Sequence, residues 1–165
     1  MTTHDLPGAQ RNNLRQIVVS GVIGGLIGGV CIWIYEALVW VGAQHLMPLG
    51  GIPANAVGLV FGKGAQVALG PLAPVLGTSI HFAFATLWGV GFAMIWPSLR
   101  RRGVEATLAA LVWAAIAWIV MHAAISLVSS SHPDYLDPTV VIGGMMSHIF
   151  FTTPMALVIQ RRMAR

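Results

Sequence analysis

The amino-acid sequence predicts an all-α integral membrane protein, a bundle of four helices crossing a bilayer with both termini in the cytoplasm. Three observations carry that expectation. The chain is 56% hydrophobic and only 8% charged. An ordinary soluble domain carries about 25% charged residues, so lipid rather than water must solvate much of this surface. Four apolar runs, over residues 17–42, 75–97, 104–128 and 138–160, are long enough to span. A hydrocarbon core of ~30 Å needs ~20 apolar residues, and at that depth runs like these satisfy their backbone groups only as helices. Finally, the basic residues divide unevenly. Arg11, Arg15, Arg100, Arg101, Arg102, Arg161, Arg162 and Arg165 fall on one side of a four-span arrangement, and only Lys63 falls on the other. The positive-inside rule puts the arginine side in the cytoplasm, and one span more or fewer would scatter the arginines to both sides.

Residues 1–16 form a polar cytoplasmic tail, and residues 17–162 form the transmembrane domain. The first apolar run is too long for a signal-peptide core of about 7–15 residues, so it reads as an uncleaved anchor, with Val41-Gly42-Ala43 a weak match to a cleavage site. It carries Gly21, Gly25 and Gly29 at four-residue spacing, and beside them Ser20, Gly24 and Gly28. Small residues repeated at that spacing clear a helical face for close approach of another backbone. Glu36 lies two turns beyond Gly29 and falls on the same face.

The 43–74 connection holds Pro48, Pro53, Pro71 and Pro74, and its 54–69 stretch suits a short interfacial or re-entrant helix. With Lys63 in its middle, that stretch is too short and interrupted to span. The second span is expected to stop at Trp96-Pro97, since proline ends helices. The arginine loop after it is tight enough to make the second and third spans antiparallel neighbours. Helix three closes at Ser129-Ser130-Ser131, and the polar link with His132, Asp134 and Asp137 leads to the fourth span.

Each span carries one ionisable side chain: Glu36, His81, His122 and His148. A charge at mid-bilayer costs roughly 2.5 kcal/mol or more, so such groups face the protein interior and mark function by default. From the cytoplasmic ends, the helical rise puts Glu36 at ~30 Å, His122 at ~27 Å, His81 at ~24 Å and His148 at ~18 Å. Three share a level near the outer surface, under the outer-loop residues His45 and His132. A polar centre of this kind opens outward.

Several chemistries suit that set. Histidine titrates between pH 5 and 8 and responds to a neighbouring carboxylate, which points to a proton relay or pH sensor. Imidazoles with a carboxylate also suit zinc, copper or iron, and Met121, Met145 and Met146 would add soft ligands for Cu(I). Two histidines at matched depth, which only His81 and His122 approach, could hold a b-type haem. Equally, a membrane histidine often donates its N–H to a neighbouring carbonyl and does nothing more. No HxxxH or CxxC motif is present, Cys31 is the single cysteine, and no cofactor is expected from the pattern alone. The glycines of the first span are not a phosphate loop, because no Lys-Ser/Thr follows them. Ser129, Ser130, Ser131, His132 and Asp134 are adjacent loop residues, which rarely adopt triad geometry. The basic residues sit at helix ends rather than along a groove, which excludes nucleic acid as the expected partner.

Trp33-Ile34-Tyr35-Glu36, His81-Phe82, Met121-His122 and Ser147-His148 form an ordered set. It resembles the YagU family of bacterial inner-membrane proteins, where W-x-x-E, a histidine opening a later span, a V-H-M-type histidine and a late G-H occur in similar order. The likeness covers the first span and residues 75–162. It departs in the 43–74 loop, which lacks the family's proline–arginine pattern, and in Met145-Met146-Ser147 before His148. The resemblance implies a multi-pass inner-membrane protein without established enzymatic activity and loosely associated with acid tolerance.

The expected function is therefore that of a non-enzymatic inner-membrane protein with an outward-facing Glu/His centre, proton- or pH-responsive in envelope or acid stress. A haem- or transition-metal-binding protein using Glu36, His81, His122 and His148 is one alternative. A structural partner packing through Gly21, Gly25 and Gly29 onto another membrane protein or a second copy is the other. The bilayer itself is the one partner common to all three.

Overall fold

The computed structural model describes residues 8–128 and 134–164. Ser129, Ser130, Ser131, His132 and Arg165 lie outside the described residues. Those described form helices and connections with no strand. Helix α1 (Gly8–Glu36) continues directly into a π-helical segment, Ala37–Ala43. Two short helices follow, α2 (Gly51–Phe61) and α3 (Lys63–Leu69), and a 3-10 turn leads into α4 (Ala73–Arg101). The chain ends with α5 (Ala106–Val128) and α6 (Pro138–Met163). Four helical stretches, Asn13–Ala43, Lys63–Arg101, Ala106–Ala124 and Pro138–Met163, are long and apolar enough to cross a membrane.

Helix α1 is central, packing against α4 on one side and α6 on the other. Its two small-residue registers serve these two partners separately. A Cβ on Gly21 would stand 2.5 Å from the Val90 Cα, and one on Gly25 would run into the Ala85 carbonyl oxygen. A Cβ on Gly24 would stand 2.6 Å from Ile159, and one on Gly28 would stand 2.5 Å from the Phe151 carbonyl oxygen. Gly29 faces Phe82 and Ala85 of α4. The glycine face is thus filled by the chain's own helices.

The expected closeness of the second and third spans is only partly realised. Helices α4 and α5 are joined by a tight turn, and Gly103 takes a left-handed φ of 74° there. Their main partners, however, are α1 and α6 respectively. Between α4 and α5 stands the Trp113 ring, edge-on to Trp88 at 5.5 Å and to Phe92 at 5.9 Å. A bulky indole holds two backbones apart where glycine lets them close.

Two expected boundaries also move. Helix α4 runs through Pro97 to Arg101 rather than stopping at it. Pro97 forfeits one ladder bond close to the helix end, where Leu99 packs on the core and Arg100 Nη1 donates to the Met163 carbonyl at 3.2 Å. Helix α6 likewise passes through Pro154. The 54–69 stretch is two helices, because Gly62, with φ 86°, turns the chain between α2 and α3. The buried face of α2 (Ile52, Ala54, Val57, Gly58) lies on α4, and Gly77 admits the Pro53 carbonyl.

The six arginines whose side chains are described, Arg15, Arg100, Arg101, Arg102, Arg161 and Arg162, gather at one end of the molecule. Gln16 Nε2 donates to the Arg162 carbonyl at 3.1 Å there, alongside the bond from Arg100 to Met163. The main core fills that half: Phe92, Trp96, Met155 and Ile159 are buried among the alanines of α5. The opposite half is packed by aromatic and imidazole rings.

Overpacked sites that cannot relax cost about 1–3 kcal/mol. Gly25→Ala should therefore lower thermal stability in detergent clearly, whereas Gly64→Ala, whose Cβ meets nothing within 4 Å, should leave it unchanged or slightly raised. Equal melting temperatures for the two variants would refute the close α1–α4 contact.

Candidate functional site

The four ionisable residues of the spans occupy three environments. His81, near the start of α4, reaches across to α1, where its Nε2–H donates to the Gly29 carbonyl at 3.0 Å. Its ring stacks on Trp33 at 5.1 Å and 25°, with Phe82 edge-on to both. The carbonyl can only accept, so Nε2 carries the proton in this arrangement. His81 therefore ties α1 to α4, one residue group along from the Gly29 contact.

Glu36 is half-buried at the last α-helical position before the π segment. Its carboxylate makes no hydrogen bond or ion pair among the described residues. Tyr35 beside it stacks on Phe150 of α6 at 4.8 Å. The π turn runs to a break at His45, whose backbone takes the left-handed φ of 53° that non-glycine residues seldom adopt.

His122 and His148 meet. Their ring centroids stand 6.0 Å apart across the α5–α6 contact. Each is held by its own helix: His122 Nδ1–H donates to the Trp118 carbonyl at 2.8 Å and His148 Nδ1–H to the Gly144 carbonyl at 2.7 Å. Counted from Cα positions the two residues are about 9 Å apart in depth. Helical side chains tilt toward the N-terminus of their own helix, however, and antiparallel α5 and α6 turn that tilt into convergence. His122 leans toward Trp118, His148 toward Gly144, and the rings arrive at one level.

Trp118 completes the group. Its indole lies 4.7 Å from the His122 ring at 35°. A Cβ on Gly144 would stand 2.9 Å from Trp118 Nε1, so that glycine makes the room for the indole. Trp118 Nε1 is buried and has no hydrogen-bond partner among the described residues. Above the pair, Tyr135 stands edge-on to Trp118 at 6.4 Å and inclined to His122 at 5.8 Å. Its hydroxyl lies 3.2 Å from Ser126 Oγ, which donates to the His122 carbonyl at 2.9 Å. Within α6 the neighbouring hydroxyls are satisfied locally: Ser147 Oγ donates to the Gly144 carbonyl at 2.8 Å and Thr152 Oγ1 to the His148 carbonyl at 3.0 Å.

The chemistry of the pair follows from which nitrogens are spoken for. Both Nδ1 atoms are committed as donors, so each neutral ring presents its lone pair at Nε2. Those two atoms are the positions where a proton or a metal ion would add. Among the described residues no group of three or more His, Cys, Asp and Glu gathers around one point. His81 shares no hydrogen bond or ring contact with His122 or His148, so the matched-depth pairing expected for a haem is not the pairing the helices make. Trp118, Gly144, Tyr135 and Trp33 were not among the expected site residues. The spacing was there to read, since Trp118-His122 and Gly144-His148 are both four apart, with the second residue on the first one's carbonyl.

No family model, curated protein or solved structure matches the chain.

Substituting Gly144→Val should displace the Trp118 indole and cost about 1–3 kcal/mol by overpacking. His81→Phe keeps a ring on Trp33 and loses one interhelical hydrogen bond, worth about 0.6 kcal/mol on average in membrane proteins. Detergent unfolding followed by tryptophan fluorescence should therefore rank Gly144→Val as the more damaging change. The reverse ranking would show that the α5–α6 contact is loose.

Proposed function

We propose that the protein is a non-enzymatic multi-pass protein of a bacterial inner membrane, with both termini cytoplasmic, whose α5–α6 contact responds to protons arriving from outside. The observation that carries this is the approach of His122 and His148 to 6.0 Å between ring centroids, with both Nδ1 atoms already committed. Protonation at both Nε2 atoms would put two like charges side by side. At 6 Å and an effective dielectric of about 20, the repulsion is about 3 kcal/mol. That is on the scale of the roughly 1–3 kcal/mol typical of coupling between sites in regulated proteins.

The repulsion has somewhere to go. Helix α5 leans chiefly on α6 and touches α4 and α2 only lightly, so it is the helix best able to move. Tyr135 and the neutral Trp118 are the groups around the pair, and no carboxylate hydrogen-bonds or ion-pairs with either ring among the described residues. The contact is therefore favoured when the pair is neutral and weakened as both rings charge, which means it loosens as pH falls. With the arginine end inside, the Trp118/Gly144 level lies about 21–24 Å up a ~30 Å core, close to the outer surface. Ser126 of α5 and Tyr135 of the connection before α6 stand over the pair. The same ordered residues carry the resemblance to the YagU family, and that kinship and a role in acid stress belong to this proposal. The packing of α1 glycines onto α4 and α6 weighs against a role in which that face binds a partner.

Spin or fluorophore labels at exposed Leu127 and Ile142, introduced as cysteines with Cys31→Ser, should report a longer or broader α5–α6 distance at pH 5 than at pH 8. His148→Gln should keep the pH 8 distance and flatten the response, and His81→Gln should leave the response intact. A wild-type profile in His148→Gln would sink the proposal. An absorption spectrum and elemental analysis of the same preparation test the competing use of the Nε2 lone pairs, since a Soret band or stoichiometric metal would replace the proton with a cofactor.

A further inference from the structure

The arginine end holds a second built feature, remote from the histidines. A half-open cleft of about 210 Å³ lies between the ends of α1, α4 and α6. Its polar lining is Asn13, Gln16, Arg100 and Arg101, and Trp96 and Pro97 supply an apolar wall. At ~30 Å³ per water, the space equals about seven waters, enough for a headgroup-sized ligand.

The electrostatics of this end are unbalanced. Arg15, Arg100, Arg101, Arg102, Arg161 and Arg162 surround it, and none is in an ion pair among the described residues. Arg100 spends one guanidinium N–H on the Met163 carbonyl, and that bond fixes the side chain at the rim with its other donors available. Gln16 is fixed in the same way by the Arg162 carbonyl. The Arg101 side chain makes no hydrogen bond among the described residues. Trp96 is 2% exposed, and its Nε1 is buried without a partner there. Two arginines, two amides and an apolar wall at the end of membrane-length helices match the chemistry of a phosphodiester held at the bilayer surface. Basic pockets between membrane helices at this depth are where acidic headgroups dock. A free phosphate would use the guanidinium groups but not the apolar wall.

We infer that this pocket binds the phosphate group of an acidic phospholipid, with Arg100 and Arg101 as the charged contacts and Trp96 beneath it. The inference does not depend on the histidine pair.

The test is binding of the full-length protein in mild detergent to short-chain phosphatidylglycerol, read by native mass spectrometry and by tryptophan fluorescence. Phosphatidylcholine of the same chain length and inorganic phosphate serve as the comparison arms. Phosphatidylglycerol should be retained at least tenfold better than phosphatidylcholine. Arg101→Gln, which removes no described hydrogen bond, should weaken retention about tenfold, and Arg100→Gln should do the same. Arg161→Gln, at the same end but outside the pocket lining, should stay within twofold of the parent. A loss in Arg161→Gln equal to that in Arg101→Gln would reduce the effect to diffuse surface charge and overturn the inference. Equal retention of phosphatidylcholine, or inorganic phosphate binding as tightly as the lipid, would overturn it as well.

Discussion

The contact on which the rest of the molecule depends is the close approach of α1 to two other backbones at once. In lipid, apolar side chains gain little by leaving the solvent for each other, because the solvent is as apolar as they are. Helices then associate through dense van der Waals contact, which needs surfaces that can come near. Gly21 and Gly25 open one side of α1 to Val90 and Ala85, and Gly24 and Gly28 open the other to Ile159 and Phe151. A side chain at any of these positions would drive a helix outward. With α1 placed, α4 and α6 are placed on either side of it, and α5 is left with α6 as its principal support.

That arrangement decides what the histidines can do. His81 belongs to the α1–α4 contact and closes a hydrogen bond across it, so it acts with the glycines as part of the fixed frame. His122 and His148 belong to the α5–α6 contact, where the Trp118 indole rather than a run of glycines lines the space beside the rings. Only Gly144 is cut back, and what it accommodates is the indole itself. A titratable pair placed on the rigid contact would have its charge opposed by the densest packing in the molecule. Under the proposed proton response, the same charge on the outlying helix meets lighter packing.

Much of this was legible in the sequence, and the exceptions have identifiable causes. The four helices long and apolar enough to cross a membrane, and the gathering of the described arginines at one end, were readable from composition and spacing, because bilayer thickness sets length independently of tertiary contacts. The glycine registers were visible as spacing, although spacing could not say that each register has its own partner. Pro97 misleads because proline stops a helix by removing a bond that the following turn here replaces with the anchoring of Leu99 and Arg100. The 54–69 stretch reads as one apolar element because hydropathy does not register the turn that Gly62 makes with its φ of 86°. The depth estimate separates His122 from His148 because it follows Cα positions, and in an antiparallel pair the side-chain tilt removes that separation. For Glu36, expected on the glycine face among the imidazoles, the described hydrogen bonds and ion pairs include none to a histidine.

The two ends of the molecule are linked through α6 above all. That helix carries His148 on one side of Pro154 and the Met163 and Arg162 carbonyls, which hold Arg100 and Gln16, on the other. From His148 to Met163 is about 22 Å along the axis, too far for direct electrostatic influence between exposed charges at physiological salt. Any influence of one end on the other must therefore pass as a displacement of the helix. Pro154 removes one i→i−4 bond midway, and missing ladder bonds of this kind are where membrane helices bend. On the arginine side of that proline, Met155 and Ile159 are locked into the core, with Ile159 against Gly24 of α1. On the His148 side, Phe151 is held with its carbonyl against Gly28 of α1 and Phe150 stacks on Tyr35, while the His148 ring meets His122 of α5. Because α6 is held by α1 on both sides of Pro154, at Phe151 and at Ile159, the proposed proton response would move α5 rather than α6 and leave the arginine pocket in place.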